Sequence, residues 1–234
     1  MSGMQVEPYQ AFARDVLGFE FVNIDLLITA FTHRSYVNEH RKSVSEHNER
    51  LEFLGDAVLE LVVTDFLFRN YSEAEGILTS WRAALVRTES IGDAGNKLGY
   101  EPLMRMSRGE KQGSERARMQ ILANAFEALI GAIYLERGYD DAASFITKNI
   151  SSKLDAIITE GSWRDPKSHL QEVMQRKDGV TPRYVVIEEV GPDHDKIFTL
   201  GVYSGDRLIS KGTGPSKQAA QQEAAKAALL QYIA

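Results

Sequence analysis

Four acidic residues in one short stretch have the spacing to act together on a cation. Glu49, Glu52, Asp56 and Glu60 lie in a segment of helical periodicity, and at about 100° per residue they fall within roughly 80° of one another. Carboxylates on one stripe repel each other, and a hard divalent cation such as Mg²⁺ relieves the repulsion because it prefers oxygen ligands. An acidic helix face turned to solvent has the same spacing. The pattern therefore leaves both a metal site and a solvated face open.

A second pair of polar residues interrupts an otherwise apolar segment. Asn124 and Glu127 lie one helical turn apart in residues 121–130, where the other side chains are apolar. Charged residues are rarely fully buried unless they are paired or bind a metal. A satisfied buried hydrogen bond or a capped helix end would also explain the pair. If this helix faced the acidic one, the two would form a single oxygen-rich site.

The elements that would position these residues are helices. From about residue 9 to 158, apolar side chains recur at spacings of three and four, and short breaks rich in Gly, Ser or Asn separate the segments. We therefore expect residues 1–160 to form an all-helical domain. The most apolar stretch, 121–135, is too short to cross a bilayer, so we expect a buried helix and no membrane partner.

The periodicity changes after a short polar segment. Residues 161–164 have the composition of a linker, and Asp165 with Pro166 has the residue types that begin a helix, here predicted to end near residue 176. Residues 165–234 then show the order α-β-β-β-α. Strands are predicted at 183–190, 196–203 and 207–213, and Ser216 is expected to cap a final Ala-rich helix packed closely on the sheet.

The composition narrows the chemistry. The chain has no cysteine, which excludes disulfides and thiolate metal ligands and fits the reducing cytoplasm, where we expect the protein to act. The first ten residues lack the basic and apolar runs of a signal peptide. The net charge is −6, and the acidic excess lies before residue 164. Net charge alone therefore neither requires nor excludes a nucleic-acid partner.

Residues 48–59, Asn-Glu-Arg-Leu-Glu-Phe-Leu-Gly-Asp-Ala-Val-Leu, closely resemble the signature of ribonuclease III. The resemblance continues in the same order over essentially the whole chain, through residues 32–36, 81–86, 107–110 and 127–134. It implies a bacterial-type enzyme: a metal-dependent, homodimeric endonuclease that cuts double-stranded RNA. The α-β-β-β-α segment is similar to a double-stranded RNA-binding domain.

The resemblance assigns roles to the acidic residues. Glu52, Asp56 and Glu127 resemble catalytic metal ligands, and Glu49 resembles a nearby acid that supports the site or contacts substrate. Mg²⁺ is the implied cofactor, with Mn²⁺ able to substitute. Glu75 matches a position associated with a composite cleavage centre across the dimer. The alternative is an acidic residue in a loop before a helix, without a direct role, and the sequence fits it equally well.

Asn124 departs from the family pattern, in which this ligand is usually Asp. Asn keeps one carbonyl oxygen for a metal but loses the charge, so we expect a working site that needs more Mg²⁺ or prefers Mn²⁺. The alternative is a non-cleaving, RNA-binding or ribosome-associated paralogue. The carboxylates Glu52, Asp56 and Glu127 favour the enzyme.

The resemblance also indicates contacts with partners. Phe53, beside the acidic stripe, is the expected interface residue of the homodimer, with plain core packing as the alternative. Expected contacts to double-stranded RNA are Ser168, Gln171, Glu172, Gln175, His194, Ser216 and Lys217. The segment after Ser216 carries fewer basic residues than related domains, so we expect weaker binding and a shallower salt dependence.

Overall fold

Helices build the first unit of the chain, Met1–Glu160, as the periodicity predicts. The computed structural model describes residues 6–192 and 196–233. The helices are Glu7–Phe12 (α1, continued by a π-helical turn over Ala13–Leu17), Ile24–Ala30 (α2), Arg34–Glu39 (α3), Glu49–Asn70 (α4), Glu75–Val86 (α5), Thr88–Leu98 (α6), Arg108–Lys111 (α7), Glu115–Arg137 (α8), Tyr139–Asn149 (α9) and Leu154–Glu160 (α10). Short 3₁₀ turns occupy Glu101–Leu103 and Ser151–Lys153.

Helix α8 forms the centre of this unit. Its N-terminus is capped by Ser114, whose Oγ accepts a hydrogen bond from the amide of Ala117 at 3.2 Å. Nearly every side chain between Ile121 and Ile133 is buried, with Asn124 and Glu127 only partly so. A helix that is apolar around most of its circumference must be covered by other elements, and α4 and α6 pack against it. The sequence-based prediction of a buried helix here is confirmed.

Two glycines allow α4 and α8 to touch backbone to backbone. A Cβ atom placed on Gly55 would lie 1.7 Å from the carbonyl oxygen of Glu127, and one on Gly131 would lie 2.3 Å from the carbonyl oxygen of Leu51. Any side chain at either position would push the helices apart. The crossing therefore sets how closely residues on α4 approach residues on α8.

The beginning of α4 is held by a segment just before α3. The amide of Asn48 donates to the carbonyl of Thr32 at 2.9 Å. Thr32 in turn forms an isolated parallel bridge with Arg105, and the amide of Arg105 donates to the carbonyl of Phe31 at 2.8 Å. These bonds fix the backbone immediately before the acidic stripe.

The second unit, Gly161–Ala234, has the predicted α-β-β-β-α order. Its strands form an antiparallel sheet in the order β1-β2-β3. The elements are Pro166–Asp178 (α11), Arg183–Val190 (β1), Ile197–Ser204 (β2), Arg207–Gly214 (β3) and Lys217–Ile233 (α12). Each end of the predicted strands agrees with these to within one residue. Helix α11 ends at Asp178, two residues later than predicted, and is followed by the left-handed Gly179.

Capping and packing in this unit follow the predictions. Asp165 accepts a hydrogen bond from the amide of Ser168 at 2.9 Å, and Ser216 accepts one from the amide of Ala219 at 3.1 Å. The Ala-rich helix packs on the sheet with a small-residue face. The shared core is Leu170, Met174, Val202, Ala224, Ala225 and Ala228.

Every helix in the described part of the chain is too short or too polar to cross a membrane.

Candidate functional site

Three of the predicted carboxylates come together where α4 crosses α8. Glu52 and Asp56 are one turn apart on α4, and the backbone carbonyl of Glu127 on α8 touches the intervening Gly55. Glu52 and Glu127 are partly buried, whereas Asp56 is exposed. The crossing thus gathers acidic groups that are distant in sequence.

The closeness of these groups changes their acidity. The pKa of Glu127 is raised to about 8, first by burial and then by the charges of Asp56, Glu52 and Glu60. The pKa of Glu52 is also raised, by burial and then by the charges of Glu49 and Asp56, while a hydrogen bond from Asn124 opposes the rise. Burial and like charge both disfavour the ionised form. The site is therefore electrostatically strained when no cation is bound.

The donor set suits a hard divalent cation. Mg²⁺ and Mn²⁺ prefer carboxylate oxygens, and a bound ion would replace the mutual repulsion by attraction. Within the described ranges, no three His, Asp or Glu side chains are already grouped closely enough to form a metal site. The residues fit such an ion chemically, and their side chains would have to come closer together than they are in this structure to bind it.

The outer members of the stripe also interact with basic residues. An Oε atom of Glu49 lies 3.5 Å from a guanidinium nitrogen of Arg34, and the other lies 3.8 Å from Nδ1 of His47. Glu60 Oε2 lies 3.0 Å from Nε of Arg82 on α5. The stripe is therefore divided. Its middle faces Glu127, and its ends form surface ion pairs.

Asn124 lies near Glu52 and is hydrogen-bonded within its own helix. Its Oδ1 accepts a hydrogen bond from Nε2 of Gln120, one turn earlier on α8, at 2.7 Å. Its side chain is also close enough to Glu52 to oppose the rise in the pKa of that carboxyl group.

Glu75 is the first residue of α5 and is exposed. Its Oε1 accepts a hydrogen bond from Oγ1 of Thr79 at 3.2 Å. The carboxylates that raise the pKa of Glu127 are Asp56, Glu52 and Glu60, so Glu75 is not part of that set. A role for Glu75 in a composite centre stays a prediction.

Phe53 is 81% exposed. That exposure rules out plain core packing, the alternative considered from the sequence. Phe53 lies at the edge of a groove of about 930 Å³, which also contains Leu26, Leu54 and Leu135. An aromatic side chain left in water beside an apolar groove is typical of a surface that another protein covers.

The predicted RNA-binding residues of α11 share its exposed side. The side chains of Gln171, Glu172 and Gln175 are exposed and are therefore accessible to a ligand. The hydroxyl of Ser168, by contrast, donates to Oδ1 of Asp165 at 3.0 Å and so contributes to the helix cap.

The other RNA-binding predictions have different outcomes. Ser216 caps α12. Nζ of Lys217 lies 3.0 Å from Oε1 of Glu189 and above the ring of Phe198, so it must leave an ion pair to reach a phosphate. His194 lies outside the described residues.

Sequence reasoning missed several residues that position the sites. Gly55 and Gly131 were not singled out, although glycine inside a helical pattern signals a close approach. Lys167 was also missed, and its Nζ donates to Oε1 of Gln221 at 2.6 Å. Gln222 donates to Oδ2 of Asp165 at 2.6 Å. These two bonds join the start of α11 to α12.

Comparisons with known proteins agree with this architecture. Residues 23–154 match a family model described as ribonuclease-III-like, and residues 166–232 match the double-stranded RNA binding motif. Ribonuclease 3 of Carboxydothermus hydrogenoformans is 46% identical over 215 residues, covering 92% of each chain. Ribonuclease 3 of Listeria monocytogenes is 42% identical over 224 residues, covering 94% of this chain and 96% of the relative.

A solved structure also resembles the helical unit. The ribonuclease III nuclease domain of Campylobacter jejuni, described as flexible in a region involved in dimer formation, aligns with a TM-score of 0.53 and 41% identity. The alignment covers 59% of this chain and 96% of the Campylobacter jejuni domain. With a helical nuclease unit, a double-stranded RNA binding motif and full-length relatives of one kind, the chain belongs to the ribonuclease III family and is an endoribonuclease that acts on double-stranded RNA.

Proposed function

We propose that the protein hydrolyses phosphodiester bonds of double-stranded RNA in a reaction that requires Mg²⁺, with Mn²⁺ able to substitute. The observation that carries the proposal is the meeting of Glu52, Asp56 and Glu127 at the Gly55 contact, where burial and then the neighbouring carboxylate charges raise the pKa of Glu127. Residues 1–160 form the catalytic domain in this proposal, residues 161–164 the linker, and residues 165–234 the RNA-binding domain.

The acidic residues have separate tasks. Glu52, Asp56 and Glu127 would hold the cation. When bound, the ion supplies an activated water and stabilises the negative charge that gathers on the phosphate in the transition state. Glu127 must lose its proton to serve as a ligand, so ion binding and proton release are coupled. Glu49, already bonded to Arg34, supports the cluster from its margin.

A homodimer would supply two such sites, one for each RNA strand. Phe53 supports this proposal, because it projects from the acidic helix beside a groove large enough to receive the same side chain from a second copy. Two cuts staggered across a minor groove would leave a short 3′ overhang, with 5′-phosphate and 3′-hydroxyl ends. Glu75 is proposed to join the composite centre that this assembly creates.

The second unit would hold the duplex by shape. A-form RNA exposes 2′-hydroxyls and phosphates rather than base edges in its accessible minor groove. Gln171, Glu172 and Gln175, with Ser168 and the loop carrying His194, are proposed to contact the 2′-hydroxyls and minor groove. The first amides of α12 and Lys217 are proposed to contact phosphates, as helix N-termini do.

The substrates proposed are ribosomal RNA precursors, messages and other structured RNAs in the cytoplasm. The second candidate function is duplex binding without cleavage, as in a ribosome-associated paralogue. The neutral Asn124 is the one observation that favours it. The three carboxylates at the crossing favour cleavage.

The deciding experiment uses an end-labelled RNA duplex and the full-length protein. We expect cleavage with Mg²⁺, none with a chelator, and binding without cleavage for Glu127→Gln. Product ends and overhang length are read on a sequencing gel. If the wild type binds the duplex but does not cut it at any Mg²⁺ or Mn²⁺ concentration, the cleavage proposal is wrong and the paralogue is favoured.

A further inference from the structure

A polar cavity of about 300 Å³ lies in the second unit, where α11 and α12 begin. Its walls include Ser168 and Gln171 from α11 and Gln218 and Gln222 from α12, and Lys167 brings a positive charge to it. Ser168 and Gln171 are proposed to contact 2′-hydroxyls, and the first amides of α12 are proposed to contact phosphates. The cavity therefore lies between two regions of the proposed RNA-binding face.

Two contacts fix the position of the Lys167 ammonium group. Its Nζ donates a hydrogen bond to Oε1 of Gln221 at 2.6 Å, and it lies 5.2 Å from the centre of the Tyr184 ring. Both partners are neutral, and within the described residues Lys167 forms no ion pair. An ammonium group has three N–H donors. The bond to Gln221 therefore leaves two donors for a ligand, on a group that is already held in place.

The acidic residue of this cavity, Asp165, is engaged elsewhere. It is close enough to interact electrostatically with Lys167. Its carboxylate, however, already accepts hydrogen bonds from the amide and the hydroxyl group of Ser168, at 2.9 and 3.0 Å, and from Nε2 of Gln222 at 2.6 Å. Asp165 thus caps α11 and joins it to α12 without using the donors of Lys167.

Lys217 provides the contrast. Its Nζ lies 3.0 Å from a carboxylate oxygen of Glu189, so it must exchange one anion for another to reach a phosphate. Lys167 has no such partner to leave and can bind an anion while it keeps its bond to Gln221. Of these two lysines, Lys167 is therefore the one whose charge is available in the structure as it stands.

The hydroxyl group of Tyr184, which also lines the cavity, indicates a ligand with oxygen atoms. This hydroxyl oxygen is buried and has no hydrogen-bond partner among the described residues. Buried polar groups in folded proteins nearly always have a partner. An oxygen atom that entered the cavity would be an acceptor for the hydroxyl group of Tyr184 as well as for Nζ of Lys167.

We propose that Lys167 binds a backbone phosphate of the RNA duplex, and that Gln221 is a positioning residue that holds the ammonium group where α11 meets α12. This inference rests on the proposed RNA-binding face of the second unit and adds a cation to it. The charge comes from α11, whereas the first turns of α12 carry Lys217 followed by Gln218 and Gln221. A phosphate contact positions the duplex and reads no sequence.

The test measures the affinity of the full-length protein for an RNA duplex in chelator, over a salt series. Lys167→Met keeps much of the side chain but removes its charge. We expect about three- to tenfold weaker binding at low salt and a salt slope reduced by about 1, because one phosphate contact is lost. The matched control is Lys177→Met near the other end of α11, where Nζ donates to the carbonyl of Tyr232. It removes the same charge, and we expect an unchanged slope.

A purely structural role for Lys167 predicts a different result. If its bond with Gln221 only joined α11 to α12, Lys167→Met would lower the free energy of unfolding and leave the salt slope unchanged, and that outcome would overturn the inference. Lys167→Arg keeps the charge, and we expect it to keep the slope of the wild type. A slope for Lys167→Arg as low as that of Lys167→Met would also count against a phosphate contact. Denaturant unfolding shows whether each variant is folded.

The role of Gln221 is tested by Gln221→Met, which removes the acceptor and leaves the charge of Lys167. We expect about threefold weaker binding with an unchanged salt slope, because the ammonium group must then be ordered when the duplex binds. In a Lys167→Met background we expect Gln221→Met to have no additional effect. A full additional effect would show that Gln221 acts independently of Lys167.

A further variant separates this inference from the proposed RNA-binding face. The double variant Gln171→Ala, Gln175→Ala should weaken duplex binding, since both side chains are proposed to contact the RNA. If this variant and Lys167→Met both bind as the wild type does, the proposed face itself is wrong. If the double variant binds more weakly but Lys167→Met behaves as Lys177→Met does, only the role of Lys167 is wrong.

Discussion

The backbone of Gly55 on α4 lies against the carbonyl group of Glu127 on α8, so closely that a Cβ on Gly55 would be 1.7 Å from that oxygen. This contact joins the structure of the helical unit to its chemistry. It brings the turn of α4 that carries Glu52 and Asp56 beside the turn of α8 that carries Glu127. A change at the glycine is therefore expected to disturb stability and ion binding together.

Replacing Gly55 by alanine tests that expectation. Gly55→Ala should lower the free energy of unfolding by about 2 kcal/mol, as overpacked interiors do, and should weaken Mn²⁺ binding because the helices separate. Denaturant unfolding and a metal titration measure the two effects. Gly109→Ala is the control, since its nearest neighbour is Ser107 Oγ at 4.0 Å. Equal stability and equal metal affinity in the two variants would contradict the prediction.

The raised pKa of Glu127 predicts how metal-free stability depends on pH. The group titrates near 4.3 in an unfolded chain and at about 8 in the folded one, so the folded state holds the proton more tightly. Its stabilising contribution is complete below the unfolded pKa and is lost as pH rises through the folded pKa. The loss is at most about 1.4 kcal/mol per pH unit for one proton.

The measurement compares wild type with Glu127→Gln in chelator between pH 4 and 9. We expect the wild type to lose stability relative to the variant over this interval, because the amide that replaces the carboxyl group cannot ionise. Parallel curves would show that Glu127 does not carry the proton. With the ion present, the same coupling predicts that the Mg²⁺ concentration needed for half-maximal cleavage falls as the pH approaches 8.

Restoring the acid at residue 124 should change the metal requirement. Asn124→Asp adds a charge next to Glu52, and we expect half-maximal cleavage at about tenfold lower Mg²⁺, equivalent to about 1.4 kcal/mol of binding free energy. In chelator the variant should be less stable than the wild type, since a further carboxylate joins the cluster. Indistinguishable Mg²⁺ titrations would mean that the neutral residue does not limit ion binding.

Phe53 provides a test of the dimer. Because the side chain is 81% exposed, Phe53→Asp should leave the fold intact while placing a charge in the proposed interface. We expect a monomer by light scattering and loss of paired cleavage of both strands. Leu230→Asp is the control, as Leu230 is 75% exposed on α12. A monomeric Phe53→Asp that still makes paired cuts would separate catalysis from dimerisation.

The ion pair of Lys217 with Glu189 leads to a prediction for RNA binding. If Lys217 leaves Glu189 for a phosphate, Lys217→Ala should weaken duplex binding and reduce the salt slope by about 1. The affinity is measured in chelator over a salt series, with Lys226→Ala as control, since Lys226 lies further along α12 and pairs with Glu223 at 2.7 Å. An unchanged slope would mean that Lys217 stays with Glu189.

Local signals in the sequence were sufficient to predict many of the helices, strands and helix caps of this protein. The period of apolar residues predicted the buried α8, and the β-branched and aromatic residues after residue 183 predicted three strands with ends within one residue of those observed. The caps at Asp165 and Ser216 followed from residue type. These features depend on neighbours a few positions apart, so the chain itself carries them.

Other features depended on approach between distant segments, and only the tertiary structure decided them. The acidic stripe on α4 was consistent with solvent or with metal, and only the structure shows that the Gly55 contact brings Glu127 near its middle while Glu49 and Glu60 form ion pairs. Phe53 was a candidate for the core or for an interface, and its exposure in the structure excludes the core. Helical periodicity determines which residues share a face, whereas packing between helices determines what that face meets.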